Sequence, residues 1–156
     1  MTDVQFMRRA IKLADERMRA GEGGPFGAVV VKDGAIVGEG WNRVVATKDP
    51  TAHAEIVAIR DACARLGTFD LEGATIFTSC EPCPMCMGAI LWSRASRMCY
   101  AANRRDAAAI GFDDEAFYRE VALPIDGRAL PTDRLLADEA QAVFAAWFAK
   151  PDRVEY

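Results

Sequence analysis

His53-Ala54-Glu55 and, well downstream, Pro82-Cys83-Pro84-Met85-Cys86 decide how this chain is read. Together they supply one imidazole, two thiols and one carboxyl group. Zinc takes imidazole nitrogen and thiolate sulfur, and three protein ligands leave a fourth position for a water whose pKa falls toward neutrality. His53, Cys83 and Cys86 are therefore the candidate metal ligands. Glu55, two residues from the histidine and outside the ligand set, is the candidate proton carrier.

Neither half is specific alone. His53 is the only histidine in 156 residues, and a lone histidine ordinarily fills a structural role. A C-x-x-C is equally a redox pair or half of a structural zinc site. Joined, they match the H-x-E and P-C-x-x-C halves of one signature. The other cysteines, Cys63, Cys80 and Cys99, lack zinc-type spacing with this pair, so a closed four-ligand site finds no obvious fourth member.

The length of 156 residues predicts one domain, 1–156, with a single well-filled core. Hydrophobic residues at 51% and charged residues at 27% describe a globular chain rather than a disordered one. No apolar run is long enough to span a bilayer and no basic leader precedes an apolar stretch, so no membrane role and a cytoplasmic location are expected. Five cysteines, an odd number, fit a reducing compartment better than a disulfide framework. The net charge of −4 recruits no polyanion, so nucleic acid is not an expected partner.

Helix and strand patterns alternate along the chain. Met7, Ala10, Ile11, Ala14 and Met18 recur at helical spacing behind Thr2 or Asp3 as N-cap, and Gly21 with Gly23-Gly24-Pro25 ends that helix. Phe26 to Val31 and Ala35 to Trp41 read as strands joined by a Lys32-Asp33-Gly34 hairpin turn. Thr51 is the expected N-cap of a second helix running to about Leu66 and closed by Gly67, with His53 and Glu55 in its first turn. Ala74 to Ser79 reads as a third strand, and Pro84 suits the first turn of a third helix that carries Cys86 and continues through Trp92. Two helix N-termini then converge on one metal, their positive dipole ends favouring anionic groups. Arg97 to Ala102 reads as a fourth strand and Asp114 to Ala122 as helix. Asp138 to Ala149 reads as a last helix with Val143, Trp147 and Phe148 facing inward. The expected class is α/β, a three-layer αβα sandwich around a central mixed sheet. A fifth strand is sought between Leu123 and Leu136.

Asp49-Pro50-Thr51-Ala52-His53-Ala54-Glu55 with Ser79-Cys80-Glu81-Pro82-Cys83-Pro84-Met85-Cys86 resembles the cytidine-deaminase-like superfamily of zinc deaminases. The flanking segments Gly23 to Val29, Gly88-Ala89-Ile90, Gly111-Phe112-Asp113-Asp114 and the terminal Glu155-Tyr156 resemble the bacterial guanine deaminases within it. The resemblance implies a five-stranded sheet between helices, one zinc ion per subunit, and a reaction in which guanine and water give xanthine and ammonia. In that reaction a zinc-activated water attacks C2, and Glu55 moves the protons.

The resemblance also implies substrate contacts from Asn42, Ala54, Asp114, Phe26, Trp92 and Tyr156. Guanine offers donors at N1 and its 2-amino group, which an Asp114 carboxylate would accept; Asp114 or Asp113 reads equally as a helix N-cap. Asn42 resembles an amide touching the base from the other side, or a loop residue making an Asx turn. Phe26 and Trp92 can sandwich a purine, or Trp92 can belong to the core. Glu81 reads as a brace of the ligand loop. In related enzymes the C-terminal segment, here about 138–156, is exchanged between the subunits of a homodimer, which makes Tyr156 resemble a lid acting on the partner; the other reading is a frayed tail. Some relatives use a second glutamate of this segment as a proton relay; with Glu139 and Val143 in the last helix, the sequence assigns no residue to that role and leaves the relay open.

Three rival readings stand. A tRNA adenosine deaminase shares the metal site but needs a basic face. A deaminase of cytosine, isocytosine or a triazine shares every catalytic residue. A non-enzymatic zinc-binding module predicts indifference to replacement of Glu55.

Overall fold

The computed structural model describes all residues, Met1–Tyr156, and divides into two compact units, Met1–Tyr118 and Arg119–Tyr156. The first unit opens with α1 (Asp3–Arg19). Thr2 and Gln5 form a reciprocal capping box at its start, and Phe6, Ala10, Leu13 and Ala14 make its buried face. Strands β1 (Gly27–Lys32) and β2 (Ala35–Trp41) follow as a hairpin. Its turn residues Asp33 and Gly34 both have positive φ, the backbone hand that matches strand twist. A short α2 (Val44–Thr47) leads to α3 (Ala54–Leu66), β3 (Thr75–Cys80), α4 (Pro84–Trp92), β4 (Arg97–Ala102) and α5 (Arg104–Ala109). The start of α6 (Glu115–Ala122) completes the unit.

The sheet order is β2-β1-β3-β4, with β1 antiparallel to both neighbours and β3 parallel to β4. Because side chains alternate along a strand, β1 serves two cores. Ala28 and Val30 join Ala54, Ala58, Ala62, Leu71, Ile76 and Ile90 on the α3 side. Val29 and Val31 join Phe6, Ala10, Leu13 and Phe77 on the α1 side. Helices therefore cover both faces of the sheet in this unit.

The α3 layer lies unusually close. A Cβ on Gly40 would stand 2.1 Å from the Ala54 carbonyl oxygen and 2.4 Å from the Ala58 amide nitrogen; one on Gly38 would stand 2.5 Å from the Ala58 carbonyl oxygen. Glycine in β2 opposite alanine in α3 lets backbone meet backbone. That contact sets the depth of the first turn of α3.

Several expectations need correction. The sheet has four strands, not five. Between Leu123 and Leu136 the chain forms a 3₁₀ turn (Ile125–Gly127) and irregular backbone; Pro124 and Pro131 cannot donate to a strand ladder. The second helix begins at Ala54 with His53 as N-cap, not at Thr51. Thr51 instead gives both its amide and its hydroxyl to Asp49 Oδ1, at 2.8 and 2.7 Å. Two short helices, α2 and α5, carry no hydrophobic period long enough to read.

The second unit contains the end of α6 and a last helix, α7 (Ala137–Ala149). Arg128 closes α6 by donating to the Val121 and Leu123 carbonyls. Val143, Trp147 and Phe148 of α7, expected inside, are all exposed, and α7 buries no residue. A helix apolar on most sides exceeds what so small a unit can cover. No helix of the chain is long and apolar enough to cross a membrane.

Candidate metal centre and active site

The carboxyl end of β3 runs into Glu81-Pro82-Cys83, and Cys83 is the N-cap of α4, with Pro84 at the first helical position. His53 is the N-cap of α3. Neither residue caps its helix through its side chain, because both point at each other. His53 Nδ1 lies 3.6 Å from Cys83 Sγ and 3.5 Å from Cys86 Sγ, and the three ligand atoms lie within 4.8 Å of one another. A tetrahedral ion with nitrogen at ~2.0 Å and sulfur at ~2.3 Å places such atoms ~3.6 Å apart. The donor set and its spacing thus fit zinc.

The two thiols are unequal. The hydrogen bond with Cys86, followed by that with His53, pulls the Cys83 pKa down to about 4. The same contact with Cys83, together with burial, pushes Cys86 up. Both thiols must be deprotonated to hold a metal ion, so its binding releases protons here. His53 is raised, first by its hydrogen bond with Cys83.

Glu55 occupies the first turn of α3 and is 6% exposed. Burial raises its pKa. Thr78 Oγ1 lies 3.4 Å from Glu55 Oε1. Ala54, between His53 and Glu55, is fully buried. It stands at the first helical position, where the backbone N–H has no intrahelical acceptor.

Asn42 is buried. Its Oδ1 accepts from the Gly24 amide and the Val44 amide, each at 3.2 Å. The Asx-turn reading of Asn42 is thus realised, and it orients the amide: with the oxygen engaged, Nδ2 is the group left to donate. Asp114 shows the opposite situation. Its Oδ2 is buried without a hydrogen-bond partner, and burial raises its pKa, with Cys83 next among the groups that raise it. Its backbone carbonyl accepts from Phe117 and Tyr118 at the start of α6.

Phe26 packs edge-on against Phe112, with ring centroids 4.9 Å apart at 88°. Trp92 is not brought to the metal group. It ends α4, at the far end of that helix from Cys83 and Cys86, and is 63% exposed. Tyr156 lies in the second unit and is 70% exposed.

Three residues around the ligand loop were not separately identified from sequence, or were read only as a brace. Glu81 Oε1 receives Arg104 Nε and Nη2 at 3.0 and 2.8 Å, and its Oε2 receives the Arg104 amide at 2.9 Å. The Arg104 guanidinium lowers the Glu81 pKa, so Glu81 braces the loop, as its sequence position suggested. Arg104 also covers the Tyr118 ring at 4.0 Å, and Tyr118 donates its hydroxyl to the Pro82 carbonyl at 2.5 Å. The parallel register Cys80↔Ala102 is what brings Glu81 beside Arg104. Only strand pairing could have revealed it.

The chain belongs to the family defined by the cytidine and deoxycytidylate deaminase zinc-binding region, whose model matches residues 1–102. Within that class, the guanine deaminase of Bacillus subtilis (strain 168) is 49% identical over 156 residues, covering 100% of each chain. The crystal structure of guanine deaminase from Bacillus subtilis matches with a TM-score of 0.97, over 100% of this chain and 99% of that one. A tRNA-specific adenosine deaminase of Haemophilus influenzae is 38% identical over 154 residues, covering 95% of this chain and 84% of that protein. A structure solved in complex with 2,6-diaminopurine is 40% identical with a TM-score of 0.67, covering 70% of this chain and 61% of that one.

Proposed function

We propose that this chain hydrolyses guanine to xanthine and ammonia, with one zinc ion per chain held by His53, Cys83 and Cys86. The observation that carries the choice of substrate is Asp114 Oδ2, a buried carboxylate oxygen with no partner in the protein. An unpaired buried acceptor is costly unless a ligand completes it. Guanine completes it, because N1 and the 2-amino group are adjacent donors. The 49% identity to a guanine deaminase over the full chain supports the same reading.

Zinc, when bound, supplies a Lewis acid that acidifies the attacking water. Glu55 accepts one proton of the water as oxygen bonds to C2 and passes it to a ring nitrogen; it then takes the remaining hydroxyl proton and gives it to the amine as the C2–N bond breaks, so that the carbonyl forms and ammonia leaves. Burial suits Glu55 to this work: a carboxyl group with a raised pKa holds a proton between the two transfers. Asn42 Nδ2 and the Ala54 N–H present donors to acceptor atoms of the base. Phe26, backed by Phe112, supplies an apolar wall.

The active assembly in this proposal is a cytoplasmic homodimer in which the segment from about 138 to 156 is exchanged, so that Tyr156 closes the partner's site. The exposed Val143, Phe144, Trp147 and Phe148 of α7 support it, since apolar surface on this scale calls for a second protein surface.

The rival reading, tRNA adenosine deamination, draws on the likeness to tRNA-specific deaminases. The net charge of −4 favours a small uncharged substrate instead. Ammonia release from free guanine, cytosine, isocytosine, guanosine and a tRNA stem-loop tests the proposal. Turnover of guanine alone or foremost is expected; turnover of the stem-loop but not of guanine would overturn it.

A further inference from the structure

We infer that Tyr118 is a positioning residue that sets the spacing between Asp114 and the loop carrying Cys83. The inference rests on Asp114 as the reader of the base. Asp114 Oδ2 has no hydrogen bond to fix its aim, so the direction of the carboxylate depends on where the backbone of that turn stands. The turn is held from within by the Phe117 and Tyr118 amides, which donate to the Asp114 carbonyl at 3.0 and 3.2 Å. It is held from outside by the Tyr118 hydroxyl, which donates to the Pro82 carbonyl at 2.5 Å. Pro82 is fully buried and directly precedes Cys83. A single residue thus bonds to the base-reading turn through its backbone and to the metal-ligand loop through its side chain.

The phenol cannot easily swing away. Arg104 lies over the ring at 4.0 Å while forming a two-pronged contact with Glu81, the residue before Pro82. Ring and hydroxyl are therefore tied to consecutive residues of the same loop. Burial raises the Tyr118 pKa, which keeps the hydroxyl a donor. A residue with a purely structural role would stabilise the chain without linking these two parts of the site. Tyr118 spans them, so its loss should act on binding of the base through Asp114 while leaving the proton chemistry of Glu55 on α3 in place.

A double-mutant cycle on the full-length, zinc-loaded protein tests this, with ammonia release from guanine and zinc content as readouts. Tyr118→Phe removes only the hydroxyl; it is expected to raise KM about fivefold, with kcat within about twofold of the parent and zinc content unchanged. In an Asp114→Asn background the same change should add nothing to KM. Independent, multiplicative effects overturn the inference, as does an unchanged KM or loss of zinc in Tyr118→Phe. Should Tyr118→Phe fail to fold, Arg104→Gln, which uncovers the ring and leaves the hydroxyl, is expected to give a smaller KM rise that again vanishes beside Asp114→Asn; additivity there overturns the inference equally. If Asp114→Asn alone leaves KM for guanine unaltered, the assignment of Asp114 itself falls, and that single variant shows it directly.

Discussion

His53 and Cys83 are each the N-cap of a helix, and their Nδ1 and Sγ atoms meet at 3.6 Å. A serine, threonine or aspartate in either position would turn inward to bond its own helix. Histidine and cysteine leave that duty undone and face outward toward each other. The metal group and two positive helix ends are thereby assembled at one point.

Glu55→Gln keeps the size of the side chain and removes its ability to carry a proton. The variant should fold and retain zinc, with kcat for guanine lowered about 10²- to 10⁴-fold. Ammonia release measured beside metal content checks it; turnover within about tenfold of the parent would contradict the role of Glu55.

Asp114→Asn should separate stability from function. It makes neutral a half-buried carboxylate whose Oδ2 is buried without a partner, so thermal stability should hold or rise by up to about 1 kcal/mol. KM for guanine should rise. Thermal melts and steady-state kinetics on the same preparation decide the matter, and a large loss of stability would mean that Asp114 is structural.

Gly40→Ala should be harmful and Gly88→Ala should not. The added methyl at position 40 meets Ala54 and Ala58 backbone atoms at 2.1 and 2.4 Å, so α3 must move, costing about 1–3 kcal/mol and lowering zinc affinity through His53. At position 88, within α4, nothing lies within 4 Å, and the helix should gain roughly 0.5–1 kcal/mol. Denaturant melts and zinc-chelator competition distinguish the two.

Arg9 grips Glu39 with two bonds, at 2.7 and 2.8 Å, and holds its carboxyl below the ordinary value of 4.5. A folded-state pKa below the unfolded one means that the pair stabilises fully above the unfolded value. That contribution is lost as pH falls through the folded value. Any Tm advantage of the parent over Glu39→Gln should therefore shrink on acidification from about pH 7 to about pH 3.5. A difference that stays constant or grows in acid would refute it.

Glu55→Gln protein and protein truncated before Val154 should each be inactive alone. Co-refolded, they should recover activity if the C-terminal segment acts across subunits, because one mixed site would hold an intact Glu55 and an intact tail. Absence of recovery, with mixed dimers shown to form, would place the tail on its own chain.

Local pattern made most elements readable. The capping residues of α1, the Asp33-Gly34 turn, Pro84 at the head of α4 and the apolar run at β4 each carry their signal within a few residues. The start of α3 did not, because Thr51 is a good cap on propensity and was drawn off by Asp49. The inward face assigned to α7 failed for another reason: an apolar period marks a helix, but burial depends on what the rest of the fold places against it, and α7 buries no residue.

The sequence by itself determined the donor set, the reaction class and the order of the four strands and the longer helices, since these follow from residue chemistry and short-range periodicity; it did not determine α2, α5 or the absence of a fifth strand. Tertiary structure decided which way the Asn42 amide points, that Asp114 Oδ2 is buried without a partner, and that Tyr118 ties Asp114 to Pro82. Each of these is a relation between groups far apart in the chain, fixed by strand register and close packing. None is written in any local stretch of residues.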